Sequence, residues 1–191
     1  DDPKGEEAPV EIVNPEAKIS STKNSGTEDY TLSANTNVNG NLVISQDGKE
    51  IYNGKTVEGG TVNVDTKLVK GENNFNLKYT SDEGLVKESQ TVVTYKTIGT
   101  ENGDIYVSQD GSENGDGTVE NPLDIYTALK YTGKGQTVKV KGGTYNLSSP
   151  ISIEKGNNGT ADVMKTLISY DGNAVFDFGK NSAGFSLGGD Y

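Results

Sequence analysis

Residues 103–144, GDIYVSQDGSENGDGTVENPLDIYTALKYTGKGQTVKVKGGT, decide how this 191-residue chain is read. A short β-run at 105–108 is followed by an acidic, glycine-bearing turn at 110–118. Asn121, Pro122, Leu123 and Asp124 then open a helix expected over 124–131, since proline suits a first helical turn and an Asp near the start faces the positive end of the helix dipole. Ile125, Ala128 and Leu129 recur at three and four residues and form its apolar stripe, with Tyr126 and Lys130 turned to water. Gly133 and Gly135 are expected to end it through a left-handed cap. No other segment reads as a helix. A lone helix between β-runs, followed only by short strands and glycine turns, fits an end cap on a stack of β-coils, because a stack must shield its open end.

The string YVSQDGSENGDGTVENPLDIYTALKY followed by TVKVKGGTYNLSSPISI resembles the opening of a family nine polysaccharide lyase, and the resemblance covers residues 103–191. It implies a right-handed parallel β-helix that acts on a uronic-acid polymer such as pectin, with calcium as cofactor. It also implies that the catalytic lysine and the calcium-binding aspartates lie on later coils. The active site is therefore expected beyond Tyr191, and the chain is expected to be a truncation of a longer enzyme that is inactive by itself. Were it to turn over polymer alone, the base would be sought among Lys139, Lys141, Lys155 and Lys165.

Beyond residue 136 the short β-rich runs 137–141, 144–147, 151–154, 166–170, 174–178 and 185–187 are separated by turns of unequal length, as corners of a parallel β-helix are. The longest gap, 155–165, is expected to project from one corner. About three coils are usually needed for a stable stack, and residues 137–191 supply roughly two. The last run, Phe185, Ser186 and Leu187, is expected to leave an open edge that invites self-association with another copy.

Residues 10–95 follow a different rule. Tyr30, Leu32 and Ala34 share one face, as do Leu42 and Ile44, Val62 and Val64, and Phe75, Leu77 and Tyr79, which is the period of half-buried strands. Asn39-Gly40, Asp47-Gly48, Asn53-Gly54 and residues 71–73 are expected to mark hairpin turns. The segment LVKGENNFNL at 68–77 resembles the corner and penultimate strand of bacterial immunoglobulin-like modules, which implies a small β-sandwich used as a spacer or binding module. Tyr30, Tyr52, Tyr79 and Tyr95 could stack on sugar rings, although tyrosines at alternating strand positions more often pack a core. The expected division is a linker at 1–9, an immunoglobulin-like sandwich at 10–98, and the cap and first coils of a β-helix at 99–191, an all-β architecture. The polar stretch 97–103 between the two strand patterns is expected to be open to proteolysis.

Composition narrows the function. Apolar residues make up 31% of the chain, and 25 glycines and 10 tyrosines suit thin sheets with frequent turns. There is no cysteine and no histidine, which removes disulfides, the usual imidazole base and the commonest zinc ligand. The net charge is −11 and both halves are acidic, which argues against nucleic-acid binding. No apolar run reaches the ~20 residues needed to cross a bilayer, so no membrane partner is expected. A cell-surface or extracellular setting follows from the resemblance.

One constellation has metal-ligand spacing. Asp110, Ser112, Asn114, Gly115 and Asp116 fall at positions one, three, five, six and seven of a calcium loop, and Asp110, Asn114 and Asp116 are the candidate ligands. The twelfth position is Asn121, with Glu120 one place early, and a strand precedes the loop, so the match to a helix-loop-helix site is partial. The competing reading is a pair of turns in which side chains bond nearby backbone N–H groups. The functional expectation is an N-terminal part of a secreted lyase that cleaves an acidic polysaccharide by calcium-assisted β-elimination. Its rival is a non-enzymatic surface adhesion or carbohydrate-binding module built on the same β-helix.

Overall fold

The computed structural model describes residues 12–100, 103–180 and 184–189; the segment read as a linker, 1–9, lies outside them. The fold is all-β with one short helix among the described residues, an immunoglobulin-like module joined to a β-helix region. In the first part β1 (Ala17–Ile19), β3 (Asp29–Thr36) and β6 (Thr61–Lys67) form one antiparallel sheet. Facing it are β2 (Asn24–Ser25), β8 (Val86–Tyr95), β7 (Gly71–Ser81), β4 (Gly40–Gln46) and β5 (Lys49–Thr56), in that order. The expected inward faces are the real ones: Leu32, Ala34, Leu42 and Ile44 are fully buried, with Phe75, Leu77 and Tyr79 beside them. Each such large side chain contributes roughly 1.5–3 kcal/mol on leaving water.

Asp47-Gly48 is a two-residue hairpin turn between Gln46 and Lys49, with φ of 48° and 83°, the left-handed pair that such a turn requires. The other expected hairpin turns differ. Asn39-Gly40 sits where the chain crosses from β3 to β4 in the opposite sheet, Asn53-Gly54 lies inside β5, and Gly71 begins β7. The corner at 68–71 is instead built by buried Asn73. Its amide oxygen accepts from Val69 N at 2.8 Å, and its Nδ2 donates to Val69 O at 2.8 Å and Gly71 O at 3.2 Å.

In the second part β9 (Asp104–Val107), β10 (Thr137–Asn146) and β12 (Thr166–Asp177) form a parallel sheet, with Thr137 opposite both Asp104 and Thr166. A second parallel pair is β11 (Ile151–Ile153) with β13 (Phe185–Leu187). Runs 137–141 and 144–147, read as separate, belong to one strand bent at Gly142-Gly143, and 166–170 and 174–178 to one bent at Asp171-Gly172. The two bends stack. A Cβ on Gly142 would meet Asp171 O at 2.4 Å, so the upper corner has to be glycine.

Helix α1 (Ile125–Tyr131) is capped by Asp124, whose carboxylate accepts from Thr127 N at 3.0 Å. Ile125, Ala128 and Leu129 are buried with Ile105, Val107, Leu123, Val138 and Val140, so the helix closes the stack as its stripe predicts. Two details depart from expectation. Tyr126 is half-buried and donates to Ser149 O at 2.7 Å instead of pointing freely to water. The helix is ended by Thr132, whose N–H and hydroxyl both bond Ala128 O, while the first left-handed glycine comes later, at Gly135.

At the far end the stack is uncovered. Leu167 and Phe185 are 39% and 46% exposed, whereas Val138 and Ile151, one coil earlier in the same register, are each 1% exposed. The interior aromatic column runs Tyr145, Phe176, Phe185, Phe178, with successive ring centroids 5.5, 5.8 and 5.8 Å apart. At Ile98 and Gly99 the connection between the two parts is held rather than loose. Ile98 is buried with the β-helix core, Gly99 N donates to Asp116 O at 2.7 Å, and Gln136 Nε2 donates to Ile98 O at 3.1 Å.

Candidate functional site

The acidic loop, the sequence's metal candidate, lies between β9 and α1 with Asp110, Asn114 and Asp116 all exposed. Asp116 Oδ1 accepts from Thr118 N at 3.0 Å and from Thr118 Oγ1 at 2.8 Å. The Thr118 backbone N–H is the main reason that its carboxyl is held below the usual carboxylate range. Asn114 N donates to Ser112 Oγ at 3.1 Å. The main-chain oxygen that a calcium loop would use at position seven is engaged too, as Asp116 O takes Gly99 N, and nearby Glu113 O accepts from the Lys96 ammonium at 2.8 Å. Lys96 also reaches Gly115 O at 3.4 Å, so a strand-end lysine of the sandwich sits as the loop's cation. In this conformation Asp116 Oδ1 and these main-chain oxygens are held by internal donors. Among the described residues no group of three or more Asp and Glu side chains is arranged to hold a metal.

The outward face of the parallel sheet carries a second cluster. The Lys139 ammonium is 2.6 Å from Asp104 Oδ2 and 5.6 Å from the Tyr106 ring centroid, and Tyr106 meets Tyr170 edge to face at 5.2 Å. Hydrogen bonding to Asp104 is the main cause raising the Lys139 pKa, so this amine stays protonated and is unsuited to act as a base.

A third arrangement was not legible in the sequence. A cleft of about 820 Å³ lies between the modules. One wall is the polar segment 20–27 with the edge of β3. The other is the turn after α1, which carries Lys134, and the loop between β11 and β12, which carries Lys155 and Lys165. The seam beside it is tight: a Cβ on Gly26 would fall 1.7 Å from Tyr131 O, and one on Gly156 would fall 3.1 Å from Thr22 N. The start of the loop 155–165 thus lies against the sandwich at Gly156, while residues 160–164 are exposed. Lys165 donates to Asn157 Oδ1, and Asn157 Nδ2 donates to Leu129 O at 3.0 Å, which ties this wall to the cap helix. Burial, with the nearby Lys134 charge, pushes the Lys165 pKa down to about 8. Spacing could not have revealed the cleft, because its three lysines come from two loops, one read as the helix exit and the other as a projecting corner.

The tyrosines considered as sugar platforms are committed elsewhere. Tyr79 is 1% exposed, its hydroxyl bonding Val38 O and lying 2.9 Å from Thr56 Oγ1. Tyr30 is buried against Phe75, and Tyr52 and Tyr95 pack on the same core.

Residues 105–191 match the family described as the Pel9A-like right-handed β-helix region, and residues 18–98 match the central Ig-like domain of pectate disaccharide-lyase. The resemblance of residues 103–191 to family nine lyases and that of the first module to immunoglobulin-like domains are both found again. A pectate lyase L of Thermoclostridium stercorarium is 35% identical over 96% of this chain and 15% of its own length. A pectate disaccharide-lyase of Dickeya chrysanthemi is 29% identical over 87% of this chain and 22% of its own, and the pectate lyase PEL9 of Emericella nidulans is 40% identical over 42% and 20%. The chain thus spans less than a quarter of the length of each of these relatives. No described helix is long and apolar enough to cross a membrane.

Proposed function

We propose that this chain is the N-terminal part of a secreted polysaccharide lyase that cleaves pectate or a related uronate polymer by β-elimination. In that reaction a base removes the proton beside a carboxylate and the glycosidic oxygen departs. The observation that carries the reading is the pairing of an Ig-like module with a cap-and-coil β-helix start, both matched by pectate-lyase families over nearly the whole described chain.

In this reading the catalytic groups belong to coils stacked after β13. The exposed apolar edge of Leu167, Phe185 and Leu187 is the surface on which such a coil would close, and a second copy would cover it when this chain is alone. A calcium ion, where a coil supplies carboxylates for one, offsets charge developing on the substrate carboxylate. The present residues contribute a closed first end to the stack and a wall of lysines beside the sandwich. The test is to assay the chain carrying its following coils against polygalacturonate, alginate and a neutral galactan. Ultraviolet absorbance from unsaturated uronate ends with polygalacturonate supports the reading; absorbance with none of them overturns it.

A further inference from the structure

The cleft between the modules has features that the cap and the coils do not need. Lys134, Lys155 and Lys165 line it, yet among the described residues none of them pairs with a carboxylate, in a chain of net charge −11. The acids on the opposite wall already have partners. Asp29 is 2.5 Å from Lys67 Nζ, and Asp65 accepts from Thr31 Oγ1 at 2.6 Å. Three lysines without a carboxylate partner thus face a wall of hydroxyls and amides with two carboxylates, Asp29 held by Lys67 and Asp65 bonded by Thr31, across a space within the about 300–1,000 Å³ of ligand-sized clefts.

Unpaired ammonium groups brought together repel one another, and Lys165, lowered first by burial, is lowered further by the Lys134 charge. An anion relieves it. A single small anion would answer the charge but leave the hydroxyl wall unused, whereas a polyhydroxylated chain with repeated carboxylates answers both.

We propose that the cleft between the two modules binds a short stretch of a carboxylated polysaccharide, with carboxylates on Lys134, Lys155 and Lys165 and sugar hydroxyls on Ser20, Ser21 and Thr22. This rests on the uronate-polymer reading and extends it. The sandwich is then half of a substrate-holding site instead of a spacer. The tight seam at Gly26 and Gly156 fixes the width of the cleft, so affinity depends on the two modules keeping their mutual position.

Tetragalacturonate is the probe, with neutral galactotetraose as control, in calorimetry on this chain. Binding of the uronate but not of the neutral oligomer is expected. The Lys134→Gln/Lys165→Gln double variant should bind about tenfold more weakly or worse, and Lys165→Arg should bind as the parent does. Lys139→Gln, on the outer face of the parallel sheet, should change nothing. Thermal unfolding of each variant verifies that it is folded. In amine-detected NMR the Lys165 titration should move upward from about 8 on adding tetragalacturonate. Absence of binding, equal binding of the neutral oligomer, or an unaffected double variant overturns the proposal. The lyase reading is separable: cleavage of polygalacturonate by the chain with its following coils, without binding in the cleft, leaves that reading standing and removes this one. Cleft binding without any cleavage does the reverse.

Discussion

Ile151 and Phe185 stand side by side in parallel register on neighbouring coils, yet Ile151 is 1% exposed and Phe185 is 46% exposed. The same turn of the helix is dry on the capped side and wet on the other. Ile151→Ala should therefore cost about 2–5 kcal/mol in urea unfolding, through lost burial and a cavity. Phe185→Ser should cost far less and should reduce concentration-dependent self-association in analytical ultracentrifugation. Equal costs for the two would mean that the exposed edge is packed in solution.

Gly26 and the Tyr131 carbonyl meet at the seam, where a Cβ would fall 1.7 Å from the oxygen. Gly26→Ala must push the modules apart while leaving each core intact. The expected result is a measurable change in the X-ray scattering profile, with secondary structure by circular dichroism unchanged. An identical profile would show that the seam yields locally.

Much of this architecture was legible in the sequence. The period-two runs through Leu32, Leu42 and Phe75 named the sandwich core, and Ile125, Ala128 and Leu129 named the buried face of the helix. Turn chemistry read less well. Asp47-Gly48 forms a hairpin because both residues take positive φ, while Asn53-Gly54 carries the same signal inside a strand, where cross-strand pairing outweighs it. The candidate loop was found by spacing, but spacing does not say that Asp116 is taken by Thr118 or that Lys96 reaches in from the sandwich. Long-range contacts of that kind, like the lysines of the cleft, exist only once the fold brings distant loops together.

Calcium at Asp110, Asn114 and Asp116 would compete with Thr118 for Asp116 Oδ1 and would meet the Lys96 ammonium already seated on the carbonyls of Glu113 and Gly115. The expected outcome is no calcium-dependent rise in melting temperature for this chain, and the same melting temperature for Asp116→Ala with and without calcium. A rise that Asp116→Ala abolishes would make the loop a metal site.

Lys165 carries a folded pKa near 8, below the ordinary lysine value. A depressed lysine favours the neutral amine in the fold, so its cost is present below about 8 and is relieved as pH rises toward the unfolded pKa of about 10.5. The amine is partly solvated, which screens the effect to ~1 kcal/mol or less. Lys165→Met should flatten the stability gain between those pH values relative to the parent. An unchanged difference curve would mean that the amine is as fully hydrated in the fold as in the unfolded chain.

The connection between the modules was expected to be open to proteolysis, but Ile98 is buried and Gly99 is bonded to Asp116 O. Thermolysin should therefore cut slowly at residues 97–100 while both modules are folded. Rapid cleavage there into two stable pieces would show that the seam opens readily.

The central proposal is that this chain is part of a lyase whose chemistry resides on later coils. Its most direct test is to incubate the chain alone, and the chain extended by its following coils, with calcium and polygalacturonate, and to record the ultraviolet absorbance of unsaturated uronate ends. The account predicts no signal from the chain alone and steady turnover from the extended one. Turnover by the chain alone, abolished by substituting Lys141, Lys155 or Lys165, would contradict it.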